Sequence, residues 1–186
     1  MERDWPHIYA QLASYLELII KWNARTNLTA IREPEQIVRR HFGESLFAGI
    51  HLGRCSTLLD FGSGAGFPGI PIQILSPEIA VTLAESQGKK AAFLREALRT
   101  LGLTSEVWIS RVESMPADRQ FDTVTLRAVD DMDAAVAEAS RRARRQLLIL
   151  TTSGRSYPFL AKHFLSAPEI PLPESQNGVL LIASRP

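Results

Sequence analysis

Apolar side chains at Trp5, Ile8, Tyr9, Leu12, Tyr15, Leu16, Ile19 and Trp22 recur at i, i+3, i+4 and i+7. That spacing gathers them on one face of a helix, so the chain is predicted to open with an amphipathic helix. Residues 23–31 read as a loop. Pro34 suits a first helical position, and the second helix is predicted to run to about Ala48, with Arg39, Arg40, Glu44 and His41 on its exposed face. From Thr57 the period changes. Short runs rich in Val, Ile and Leu, at about 57–61, 80–84, 106–109, 121–126 and 146–151, alternate with helical stretches at about 67–75, 88–101 and 130–144. Phe93, Leu94, Ala97, Leu98 and Leu101 give the second of these helices a buried face, with Gly102 as its C-cap. Met132, Ala135, Val136 and Ala139 do so for the third. Such alternation predicts a parallel sheet joined by right-handed crossovers, with helices on both faces. Two later apolar runs, around Phe164 and at 178–183 and separated by the Pro-rich 168–173, are expected to add the last strands, one antiparallel. The fold class is α/β, a mixed, mostly parallel sheet. Residues 1–50 are expected as a helical cap and 51–186 as the core of a single domain.

Composition narrows the function classes. With 186 residues, 45% hydrophobic and 22% charged, the chain suits one buried core and not two large domains. No apolar run approaches the ~20 residues of a membrane span, and the opening Met-Glu-Arg-Asp-Trp-Pro has no signal-peptide layout. The expectation is a cytoplasmic monomer without a membrane partner. Cys55, the one cysteine, excludes an internal disulfide and a cysteine zinc cluster, and is expected as a small buried thiol. His7, His41, His51 and His163 lack metal-ligand spacing. A net charge of +1 gives no general attraction for nucleic acid. RNA contacts must then come from local clusters: Arg39-Arg40-His41, Lys89-Lys90 with Arg95 and Arg99, or Arg141-Arg142-Ala-Arg144-Arg145. The last cluster also ends a predicted helix, where cations favour the dipole.

The densest chemistry lies in Asp60-Phe-Gly-Ser-Gly-Ala-Gly-Phe-Pro-Gly-Ile70, between the first strand and its helix. Its glycines let the backbone turn sharply and leave main-chain N–H groups open to a ligand. Gly64-Ala-Gly66-Phe-Pro-Gly69 satisfies the dinucleotide fingerprint, which keeps a NAD-dependent oxidoreductase as an alternative. Asp60 favours another cofactor. A carboxylate at the strand end repels a pyrophosphate but attracts the sulfonium and ammonium of S-adenosylmethionine.

Other strand ends add to this site. Glu85, 19 residues past Gly66, stands where an acidic residue can accept both ribose hydroxyl hydrogens. Arg111-Val112-Glu113 follows the third strand, where an adenine would lie, and Arg127 ends the fourth, where a substrate would approach a cofactor methyl. No Asn/Asp-Pro-Pro-Tyr motif, Pro-Cys nucleophile or Ser/His/Asp order is present. A methyl acceptor needing neither base nor covalent catalysis fits this inventory. Guanine N7 is one, and its methylation rests on alignment and local field.

These residues resemble the RsmG (GidB) family, bacterial methyltransferases of guanosine N7 in 16S ribosomal RNA. The segments that carry the resemblance are Lys21-Trp-Asn-Ala-Arg-Thr-Asn-Leu-Thr29, Arg40-His-Phe-Gly-Glu-Ser45, residues 60–71 with Phe67-Pro-Gly-Ile-Pro71, Gly88-Lys-Lys-Ala-Ala-Phe-Leu94, Ser110-Arg-Val-Glu113 and Leu126-Arg-Ala128. The resemblance implies a class I, Rossmann-like fold and a cofactor pocket that uses Gly62, Phe67, Val112 and Glu113, with Arg127 at the boundary of cofactor and substrate. It also implies that Arg40, His41 and Ser45 face RNA. Two positions depart from the family pattern. Leu150-Thr-Thr-Ser-Gly154 lacks the usual Lys-Gly pair, and Glu85 stands where aspartate is more usual. The missing lysine leaves a non-catalytic RNA-binding relative as a further alternative.

Overall fold

The computed structural model describes residues 4–165 and 169–186. Helix α1 (Trp5–Asn23) starts where the Asp4 side chain accepts a hydrogen bond from the His7 amide at 3.2 Å, and Pro6 occupies its first turn. Ile8, Leu12, Tyr15 and Ile19 form its buried stripe. After the 23–31 loop the second predicted helix is a composite of α2 (Pro34–Gln36), a π-helical turn (Ile37–Phe42) and α3 (Gly43–Ile50). The extra residue of a π turn changes which side chains face inward. Arg39 and Arg40 remain exposed as expected, but Glu44 is buried at 4% exposure and Ser45 at 0%.

Strands β1 (Thr57–Phe61), β2 (Ala80–Ala84), β3 (Glu106–Trp108), β4 (Phe121–Arg127) and β5 (Ala143–Thr152) pair in parallel in the order β3-β2-β1-β4-β5. β7 (Gly178–Ser184) runs antiparallel to β5 and carries the two-residue β6 (Ile170–Pro171) at the sheet edge. Adjacent positions face opposite sides. Leu58 therefore packs with α1, α4 (Gly69–Leu75) and α5 (Gly88–Leu101), whereas Leu59 packs with α6 (Met132–Arg142). Helices thus cover both faces, and Gly102 ends α5 at φ 66°.

Several boundaries moved. α4 begins at Gly69 rather than 67, and α6 stops at Arg142 because β5 starts at once with Ala143. Phe164 sits after the short helix α7 (Leu160–His163) and buries its ring; the strand expected there is reduced to a single bridge from Leu165 to Ser184. Pro168 lies outside the described residues. Cys55 is half-buried rather than buried.

Candidate active site

A cavity of about 560 Å³ opens at the carboxyl ends of β1, β2 and β4. That is the edge where the chain order reverses, and it falls within the ~300–1,000 Å³ usual for ligand pockets. Its floor is the glycine loop. Gly62 and Gly64 adopt φ of 70° and 57°, conformations that favour glycine, and both line the cavity. A Cβ on Gly64 would meet nothing closer than the Gly62 carbonyl at 3.9 Å, so it would project into free space.

Gly66 and Asp60, expected at the cofactor, do not line the cavity. Gly66, at φ 90°, faces the protein interior, where a Cβ would lie 2.5 Å from Ile70 Cδ1 and 2.6 Å from the Tyr15 hydroxyl. Tyr15 in turn donates a hydrogen bond to the Ala65 carbonyl, fastening α1 to the loop. Asp60 lies beneath the turn at 0% exposure, accepting from the Gly69 amide at 3.1 Å and the Thr125 hydroxyl at 2.9 Å. Burial raises its carboxyl to about 6 against these hydrogen bonds. Its place in the fold is that of a brace for the loop, acting on the cavity only through its field.

Glu85 closes the second side. Its Oε2 accepts from the Gly64 amide at 3.0 Å and its Oε1 from the Gln87 amide at 2.7 Å, so the carboxylate is fixed with lone pairs still open toward the cavity it lines. Val112 and Glu113, on a short 3₁₀ turn (Val112–Ser114), form the third wall. Arg142 holds that turn from below. Buried at 5% exposure, it donates to the Val112, Met115, Pro116 and Arg119 carbonyls and pairs with Glu138 at 2.7 Å.

Arg127 ends β4 at the cavity mouth, its guanidinium carbon 5.8 Å from the Phe67 ring centroid. His41 packs against the same ring at 4.8 Å, tilted by 31°, and joins Thr29 Oγ1 through Nε2 at 2.7 Å. Burial first, then the Arg127 and Arg40 charges, hold His41 down to about 3, so it is a neutral imidazole near pH 7. Of the expected RNA contacts, His41 and Lys90 line the cavity, Arg39, Arg40 and Lys89 are exposed, and Ser45 is buried, donating to the His41 carbonyl at 2.6 Å.

Two contributors carried no role in the sequence reading. Leu28, Thr29 and Ala30 bring the 23–31 loop to the cavity wall. Asn23 shapes that loop: its Oδ1 accepts from the Leu28 and Thr29 amides at 2.9 and 3.2 Å, and its Nδ2 donates to the Thr29 carbonyl at 3.1 Å. An asparagine at a helix end before a polar loop is the signal that could have pointed there. Glu44, which pairs with Arg127 at 2.6 Å, had no such signal. Among the described residues no cluster of His, Cys, Asp and Glu could hold a metal ion.

The family model described as rRNA small subunit methyltransferase G (GidB) matches residues 8–158. The chain belongs to the GidB family. Ribosomal RNA small subunit methyltransferase G of Nitrosomonas europaea is 43% identical over 134 residues, 72% of this chain and 62% of that protein. The Xylella fastidiosa protein of the same name (strain M23) is 41% identical over 162 residues, covering 85% and 74%. The chain thus spans under two thirds of the first of these relatives. Among solved structures, the O-methyltransferase from Bacillus cereus in complex with SAH superposes at TM-score 0.68, with 18% identity over 92% of this chain and 91% of that one. M. jannaschii TYW2 in complex with AdoMet gives 0.60, with 11% identity over 78% and 74%. At these identities the structural likeness establishes the fold alone, a mostly parallel sheet of the class I methyltransferase type.

Proposed function

We propose that this GidB-family protein transfers a methyl group from S-adenosylmethionine to N7 of a guanosine in 16S ribosomal RNA. The observation that carries the reading is the meeting of the open Gly62–Gly64 floor, the Glu85 carboxylate and Arg127 on one cavity at the sheet's carboxyl edge. The residues fit the cofactor. Glu85 retains acceptors for two ribose hydroxyls, and Val112 offers an apolar surface to a purine. Glu85, Glu113, Asp130 and Asp131 supply negative charge around a ligand carrying a sulfonium and an ammonium. Bound there, the cofactor supplies an electrophilic methyl whose sulfonium leaves as a neutral thioether.

The protein's own part is placement. Phe67, packed against His41 and faced by Arg127, forms an aromatic and cationic wall suited to a purine. No proton leaves guanine N7, so no base is needed, and His41, held neutral, adds no positive charge beside the donor. Arg39, Arg40, Lys89 and Lys90 then supply the phosphate contacts on the rim. Arg39 pairs with exposed Glu35 and Glu174, weak links that a phosphate can replace. On this reading the chain works as a single domain, a cytoplasmic monomer whose 1–50 segment caps the core.

Small subunits from a strain deleted for the family gene, incubated with the protein and radiolabelled donor, test the proposal. Label mapped by mass to N7 of one guanosine supports it. Cofactor binding with no transfer would instead favour the non-catalytic relative, in keeping with the lysine absent from 150–154. Binding of NAD but not S-adenosylhomocysteine would overturn both.

A further inference from the structure

We infer that Glu44 is a positioning residue that sets the charge of the methyl-donor site through Arg127 and thereby favours the cationic donor over its neutral product. The inference rests on the reading of the cavity as a S-adenosylmethionine site. Glu44 itself does not line the cavity. It sits behind the wall on α3, its side chain 5% exposed, and accepts from Arg127 Nη2 at 2.6 Å. Its other oxygen lies 3.7 Å from Nε of half-exposed Arg40.

The physical problem is one of like charges. Arg127 is a permanent cation on the wall of a cavity that must accept a sulfonium. Facing the cavity without a counter-charge, it would oppose the donor while leaving the neutral thioether product unaffected. A carboxylate directly behind the guanidinium cancels most of that field and, by engaging Nη2, fixes the plane of the fork. Among the described residues no other hydrogen bond holds the Arg127 guanidinium. Glu44 can therefore do both tasks from one contact: hold the arginine still, and keep its charge from eroding the preference for the donor. With Glu44 neutral, the donor would lose affinity relative to its product, although the carboxylates lining the cavity would still attract it.

Calorimetric titration of Glu44→Gln and Glu44→Asp with S-adenosylmethionine and S-adenosylhomocysteine tests this. Glutamine keeps the shape and an acceptor but removes the charge. The expected result is a roughly tenfold loss of donor affinity relative to product affinity, with stronger product inhibition in turnover. Aspartate keeps the charge and should hold the donor-to-product ratio within about threefold of wild type. An equal loss for both ligands in Glu44→Gln, in protein whose thermal melt remains cooperative, would reduce Glu44 to a packing role and overturn the inference. Wild-type protein that binds neither ligand would instead overturn the reading of the cavity itself.

Discussion

The Asp60 carboxylate accepts the Gly69 amide at 3.1 Å across the turn, tying the end of β1 to the start of α4 beneath the cavity floor. The bond is buried, and burial raises the Asp60 carboxyl from 3.8 to about 6. His41, above the same loop, is displaced the other way, from 6.5 to about 3.

These two shifts act on stability in opposite directions. The folded protein holds the Asp60 proton more tightly than the unfolded chain does. Its contribution is therefore largest in acid and is lost as pH rises through about 6, a range worth about 3 kcal/mol. His41 binds its proton less tightly when folded. Its contribution is complete above 6.5 and falls with pH, by about 2 kcal/mol at pH 5. Between about pH 4 and 6 the two slopes oppose each other in wild type. Asp60→Asn should make acid destabilisation steeper, and His41→Asn should reverse its sign over that window. Urea midpoints measured across pH check this; parallel profiles for all three proteins would refute it.

Gly64 and Gly66 separate the two duties of the loop. Both have positive φ, so alanine strains the backbone by about 1–2 kcal/mol at either position. At Gly66 the new Cβ also collides with Ile70 and Tyr15, adding about 1–3 kcal/mol of overpacking. Gly66→Ala should thus lose the larger share of stability. Gly64→Ala should lose the larger share of S-adenosylhomocysteine affinity, because its methyl enters the cavity. Denaturant titration and calorimetry on the same pair of variants read both effects.

How much of this was legible in the sequence depends on whether the cause was local. The 3.6 and 2.0 periods located the elements of the main sheet, because each element's apolar stripe is written in its own residues. Gly62, Gly64, Glu85, Val112 and Arg127 line one cavity, as strand-end residues on one edge of a parallel sheet should, whereas Phe67 follows only from the family resemblance. Asp60 was placed a layer too high, since a strand end has two sides and its spacing does not say which side the carboxylate takes. Ser45 and Glu44 were misjudged because the π turn shifts the helix register there, and the Glu44 partner lies 83 residues away. The Arg141–Arg145 cluster looked uniform but divides: Arg141 and Arg142 end α6, whereas Arg144 and Arg145 lie on β5.

Arg142 gives that division a measurable form. Its guanidinium binds four carbonyls and Glu138 in the interior, so it supports the Val112 wall and cannot serve as a phosphate contact. Arg142→Ala should cost about 3–5 kcal/mol by stranding those carbonyls and leaving Glu138 with only its surface partner Arg141, at 3.0 Å. Lysine should rescue little, since one ammonium cannot reproduce the fork. Arg144→Ala, at an exposed position, should leave the melting temperature within a degree or two of wild type. Equal melting temperatures for Arg142→Ala and Arg144→Ala would remove the structural role assigned here.

Arg127 must be tested without stranding its own partner. Alanine would leave Glu44 buried with only the 3.7 Å contact to Arg40, so lost activity would be confounded with lost stability. Arg127→Lys avoids this. An ammonium can still neutralise Glu44, so stability should fall by only about 1 kcal/mol. It cannot, however, pair with Glu44 and also present a planar cation to the Phe67 wall, so turnover should fall tenfold or more, as for replacements at other fork-shaped contacts. Steady-state kinetics with ribosomal substrate, beside a thermal melt, gives the answer. If lysine retains wild-type kcat, Arg127 acts only as a charge paired with Glu44, and the orientation of its guanidinium has no part in methyl transfer.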